Sequence, residues 1–192
     1  MELPLNVIYE ATVGSTMHGL STPESDLDIR YVTMPTLRDI ISPFKNDQVK
    51  VQDGNGSDVE SWDLAHFCRH LSKGNPTMYE VIRTEEYTQS EYSDRVRGLM
   101  PMCFDANMIK NAHIGYADAQ IKRYLIPASN DFKANDANLS ASLRLGQIPL
   151  KTIWEENKVR RVPKCIVAAF RVLAQATQLL TTFDFQPVIK DY

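Results

Sequence analysis

In the run from Asp26 to Val32, Leu27, Ile29, Tyr31 and Val32 alternate with Asp26, Asp28 and Arg30. A period of two is the pattern of a half-buried β-strand, and it places Asp26 and Asp28 together on the polar face. Carboxylates at i and i+2 lie roughly 6 to 7 Å apart along a strand. Alone and partly buried they repel each other, whereas their oxygens converge readily on a hard divalent cation. A third carboxylate from a neighbouring strand would complete a cage for two metals about 3.5 to 4 Å apart. Asp58 and Glu60, which share a face with Trp62 if Asp58-Val59-Glu60-Ser61-Trp62 is a strand, are the candidates.

The residues upstream of Asp26 supply a second chemistry. Leu5 to Thr12 reads as a short strand, Gly14-Ser15 follows directly, and a helix is plausible from Ser15 to Leu20 before the loop Ser21-Thr22-Pro23-Glu24-Ser25. Glycine and serine at a strand end offer backbone N–H groups, a hydroxyl and close access, which suit a phosphate oxygen. One half of the segment then binds phosphate and the other binds the metal that neutralises it. On this reading the two functions are separable: a branched side chain at Gly14 should weaken nucleotide binding and leave the carboxylates able to hold Mn²⁺.

Downstream, the segment 43–57 reads as a β-hairpin or loop with Gly54-Asn55-Gly56 as its turn signal. Asp63 to Ser72 carries the helical stripe Leu64, Phe67, Cys68, Leu71 and ends at Gly74-Asn75-Pro76, and Thr77 to Ile82 starts another short helix. Ala106 to Leu125 reads as a helix of about five turns stopped by Pro127. Lys164 to Leu180 is the clearest helix, with Pro163 in its first turn and an apolar stripe through Ile166, Phe170 and Leu173. Strands come first and helices second.

The 192 residues suit one domain with a helical extension and are enough to bury a core. With 43% hydrophobic and 23% charged residues, and no apolar run near the roughly 20 that a membrane helix needs, the composition predicts a soluble protein without a membrane partner. The N-terminal MELPLNVIYEA lacks the basic-then-apolar order of a secretory signal. Cys68, Cys103 and Cys165 are odd in number and lie in apolar surroundings, which predicts buried thiols in a reducing cytoplasm. Net charge is −3, so the chain as a whole is no electrostatic trap for nucleic acid. Lys151, Lys158, Arg160, Arg161, Lys164 and Arg171 nonetheless cluster, while Asp and Glu dominate positions 24 to 63. That asymmetry suits a metal-bound polyphosphate; a solvated basic helix face would produce it too.

Gly14-Ser15, ten intervening residues and Asp26-Leu27-Asp28 together resemble the signature of the DNA polymerase β-like nucleotidyltransferase superfamily. The chain is most similar to a bacterial and phage branch of predicted nucleotidyltransferases, through Gly19-Leu20, Arg30, Asn75-Pro76 with Glu80, Gly115-Tyr116-Ala117 with Gln120, and Lys164 with Arg171. A histidine often found between the last two is replaced here by Ala168. The resemblance implies an α+β fold: a nucleotidyltransferase-like mixed β-sheet flanked by helices over residues 1–105, with a C-terminal helical extension over 106–192. It implies Mg²⁺, with Mn²⁺ able to substitute, held by three carboxylates. By the family pattern the third is the acidic residue about nine before Phe67, which is Asp58, with Glu60 as second choice.

The activity implied is transfer of a nucleoside monophosphate from a nucleoside triphosphate to an acceptor hydroxyl in nucleic acid, protein or a small molecule. Asp26 and Asp28 bridge the metals and Asp58 holds the metal that activates the acceptor oxygen. Gly14, Ser15, Arg30, Lys164 and Arg171 form the nucleotide-contacting set; of itself Arg30 reads as a surface charge or a partner for the carboxylates, and its place beside the aspartates favours the partner. Two other functions fit the same residues: a metal-dependent nucleotide phosphohydrolase, and an antitoxin-like regulatory module. His18 is as consistent with an exposed histidine as with a phosphate contact. His66 and His70 form either a metal pair or one polar helix face, Asn75-Pro76 ends a helix, Glu80 is open, and Tyr116 is core or, with Gln120, part of a base pocket.

Overall fold

A computed structural model describes residues 6–23, 25–41, 48–52, 57–122 and 156–184. Strand β1 (Val7–Val13) runs into the one-turn helix α1 (Gly14–Met17), followed by β2 (Leu27–Thr33), α2 (Leu37–Ile41), β3 (Gln48–Gln52) and β4 (Ser57–Asp63). The remaining elements are α3 (Leu64–Ser72), α4 (Pro76–Arg83), α5 (Ser93–Arg97), α6 (Leu99–Met102), α7 (Ala106–Gln120) and α8 (Glu156–Thr182). The strands form one sheet in the order β1-β2-β4-β3, with β2 and β4 parallel and the outer pairs antiparallel. This is the mixed sheet with flanking helices that the sequence predicts. β3 and β4 pair as a hairpin would, although the turn signal Gly54-Asn55-Gly56 lies outside the described residues, as do Pro127 and positions 128–151.

Two compact units emerge, residues 1–112 with 176–192, and residues 113–175. In the first, the sheet places Tyr9, Val13, Val32 and Trp62 in a core shared with Phe67 and Leu71 of α3, the last two fully buried. Each such side chain contributes about 1.5 to 3 kcal/mol of burial. α3 begins where β4 ends because Asp63 caps it, accepting a hydrogen bond from the His66 backbone N–H at 2.9 Å. α4 begins likewise: the Asn75 side chain accepts from the Thr77 N–H at 2.9 Å and Pro76 occupies its first turn. Gly74 turns the chain between them at φ +72°, with the Ile109 backbone so close that a Cβ would overlap it. In the second unit Ala117 on α7 and Cys165, Ala169 and Val172 on α8 are buried, the last three at helical spacing.

Four readings from the sequence change, the first being the apolar stripe of α8, where Cys165, Ala169 and Val172 are buried while Ile166, Phe170 and Leu173 are exposed. α1 spans only Gly14–Met17, because His18 and Gly19 (φ +66°) turn the chain at once. α8 starts at Glu156, so Pro163 lies inside the helix, where it removes one backbone hydrogen bond without stopping the helix. Of the cysteines, all free, Cys165 is buried but Cys68 and Cys103 are only half-buried. The stretch Pro163–Thr182 is long and apolar enough to cross a membrane on mean hydropathy, a test that core helices also meet, and it carries Lys164 and Arg171.

Candidate active site

The parallel pairing of β2 with β4 sets Asp28 beside Asp58, Arg30 beside Glu60 and Val32 beside Trp62. Side chains two apart on a strand share a face, so the charged pairs and the Val32–Trp62 core pair lie on the same side of the sheet. The sequence had grouped Val32 with Leu27, Ile29 and Tyr31, opposite the carboxylates. The structure corrects this: the acidic face is the end of the core face, and Leu27 is 42% exposed. The site is thereby built on rigid strands, with its inner edge closed to water.

Arg30 is the hub. Its Nη2 donates to Asp28 Oδ1 at 3.2 Å and to Asp58 Oδ2 at 3.3 Å, its Nη1 donates to the Asp58 carbonyl at 2.8 Å, and its Nε lies 3.6 Å from Glu60 Oε2. Arg30 and Glu60 are both buried, and a buried guanidinium requires such partners. Burial pushes the Asp28 carboxyl above its ordinary value; Arg30 opposes the shift, while Asp58 and Asp26 reinforce it by repulsion. Asp26 itself is exposed, one residue ahead of β2.

Gly14 completes the geometry. β1 and β2 pair Val13 with Asp28, so the next residue of β1's chain lies directly against that carboxylate. At φ +69°, a Cβ on Gly14 would overlap the Asp28 carboxylate, with Cγ 2.7 Å away. This geometry argues against the expectation that a change at Gly14 would leave the carboxylates alone, because a Cβ at 14 would take the space of the Asp28 carboxylate. Ser15 follows in α1, half-buried, its carbonyl accepting from the Leu20 N–H at 2.8 Å.

The donor set suits a hard divalent cation, since Asp28 and Asp58 are cross-strand neighbours and Asp26 is near enough to repel Asp28. Among the described residues no three His, Cys, Asp or Glu side chains stand in cation-holding geometry, and the positive charge at the carboxylates is that of Arg30. Lys164 is exposed and Arg171 half-buried on α8, both in the second unit. Tyr116 and Gln120 are half-buried on α7. His66 and His70 stack on α3 with centroids 4.3 Å apart. His18, open to either reading in the sequence, is buried, its Nε2 lying 3.5 Å from Glu80 Oε1. Both residues belong to short motifs that are recognisable in the sequence, but the contact between them spans 62 positions and no local signal reports it.

Residues 1–181 match the family described as "RNA repair pathway DNA polymerase beta family". The chain is also 24% identical over 138 residues to a protein of Enterobacteria phage T4, "Uncharacterized 38.9 kDa protein in nrdC-mobD intergenic region". The match takes in 65% of this chain and 40% of the phage protein, so this chain spans less than half of that relative's length.

Proposed function

We propose, from the premise that the chain belongs to the RNA repair pathway DNA polymerase beta family, that it is a Mg²⁺-dependent nucleotidyltransferase acting on a nucleoside triphosphate. The observation that carries this reading is the contact of Gly14 with Asp28 and the pairing of Asp28 with Asp58, which brings a phosphate-type turn and two carboxylates to one point. Asp26, Asp28 and Asp58 would hold the metal, with Glu60, buried beside Arg30, the second choice for the third carboxylate. Bound there, the metal would neutralise the triphosphate and acidify the acceptor hydroxyl. Gly14 and Ser15 would present backbone N–H groups and a hydroxyl to the phosphates. The family description names RNA repair, which makes an RNA 3′ end the acceptor to test first.

The test incubates the protein with Mg²⁺, each α-labelled nucleoside triphosphate and an RNA or DNA oligonucleotide. Label should pass to the RNA with release of pyrophosphate, and Asp28→Asn should abolish transfer while leaving the fold intact. Release of phosphate or free nucleoside monophosphate, with nothing transferred, would replace this reading with a phosphohydrolase. Absence of both turnover and nucleotide binding would leave a regulatory module.

A further inference from the structure

We propose that Glu80 is a positioning residue that acts through His18 to fix the Gly14–Ser15 turn against Asp28. α4 is fastened to β1 immediately before that turn: Thr84 Oγ1 donates to the Thr12 carbonyl at 2.7 Å and Tyr9 Oη donates to the Val81 carbonyl at 3.2 Å. Arg97 Nη1 in turn donates to the Thr84 carbonyl at 2.8 Å. Immediately after the turn, the His18 backbone N–H donates to the Gly14 carbonyl at 3.3 Å, and its imidazole Nε2 reaches Glu80 on the same α4. The turn is therefore bracketed by one helix on both sides.

The contact is costly enough to need a reason. Met78, Tyr79, Val81 and Ile82 of α4 are all buried, and an apolar residue at 80 would extend that face without taking a carboxylate out of water. The His18 and Glu80 side chains are only 2% and 10% exposed, and both are taken out of water to face each other at an ion-pair separation, without hydrogen-bond geometry between Nε2 and Oε1. Two buried polar groups that face each other tie His18 to one place on α4, which apolar packing would not do. The Asn75 cap and Pro76 set the start of α4 and hence the height at which Glu80 meets His18. A structural role for the Asn-Pro-x-x-x-Glu segment follows: its first two residues begin the helix and its last holds the turn.

The effect on nucleotide rests on the phosphate-turn reading above, but the positioning role is measurable without it. Amide hydrogen exchange of residues 14–20 should accelerate on the order of tenfold in Glu80→Ala, while the α3 core amides keep parental rates. Glu80→Gln retains an acceptor at the same place and should restore parental exchange, and the losses in Glu80→Ala and His18→Ala should not add in the double variant. Should Glu80→Ala not fold, Glu80→Asp, one methylene shorter, should loosen the same amides. Parental exchange at 14–20 in Glu80→Ala, or in Glu80→Asp where Glu80→Ala does not fold, or additive losses in the double variant, would overturn the proposal. Nucleotide affinity measured alongside in saturating Mn²⁺ should fall with the loosened turn. If the parent binds no nucleotide the proposed function fails, and exchange still judges the positioning role.

Discussion

Replacing Gly14 by alanine should damage both folding and metal binding, although Gly14 has no side chain to ligate anything. Its backbone sits at φ +69°, a conformation that costs a residue with a Cβ about 1–2 kcal/mol. In a chain of this size each kcal/mol lowers Tm by about 2–4 °C, so the strain alone amounts to a drop of about 2–8 °C. The new Cβ would also occupy the space of the Asp28 carboxylate, whose Cγ lies 2.7 Å from that position. The carboxylate must then rotate away from the place where it meets Arg30 Nη2 and neighbours Asp58. Loss of the surroundings that orient a metal ligand costs about 10- to 100-fold in affinity, and the Mn²⁺ Kd should rise by that factor. Gly115→Ala is the control: that glycine is exposed on α7 with nothing within 4 Å of a Cβ. The same chemical change there should stabilise by up to about 1 kcal/mol and leave Mn²⁺ binding alone. Thermal unfolding without metal and calorimetric titration of Mn²⁺ read both quantities. Parental Mn²⁺ affinity in a folded Gly14→Ala would refute the coupling and reduce the contact with Asp28 to packing.

Arg30→Met should lower metal-free stability toward the lower end of about 3–5 kcal/mol, since Arg30 is buried but Asp58 is 43% exposed; it should also tighten Mn²⁺ binding by removing the competing charge. Urea unfolding with and without Mn²⁺ checks both, and unchanged stability would contradict Arg30 as the hub. Tyr79 is fully buried and its phenol is pushed up to about 12, chiefly by burial; because the folded value is raised, the associated stability is complete below about pH 10 and is lost as pH rises through about 12. Tyr79→Phe should remove a phenol that ionises near pH 12 from an ultraviolet titration and flatten that loss. Asn75→Ala should cost about 1 kcal/mol through the lost cap on Thr77 N–H, read as a Tm drop of about 2–4 °C.

Local elements were legible because they obey short-range rules. The stripe Leu64, Phe67, Cys68, Leu71 describes α3, and Asn75-Pro76 both ends that region and starts α4. Pro163 misled for the same reason: a proline suits a first turn, yet a long helix tolerates one missing bond in its interior. The strand of Asp28 was recognised but its faces were misassigned, since alternation fixes which residues share a face and not which face meets the helices.

By itself the sequence determined the α+β class, the placing of the strands ahead of the longer helices, and the Gly-Ser and Asp-x-Asp pattern of the family resemblance. Those features rest on residue type and on spacings of a few positions. Tertiary structure decided which groups meet: the register that pairs Asp28 with Asp58, the turn that leaves Gly14 no room for a Cβ, the guanidinium among three carboxylates, and the reach of Glu80 to His18. Each of the cross-strand and helix-to-turn contacts joins positions far apart in the chain. Their geometry follows from how the sheet aligns and how α4 packs on it, and no local pattern of residues encodes that alignment.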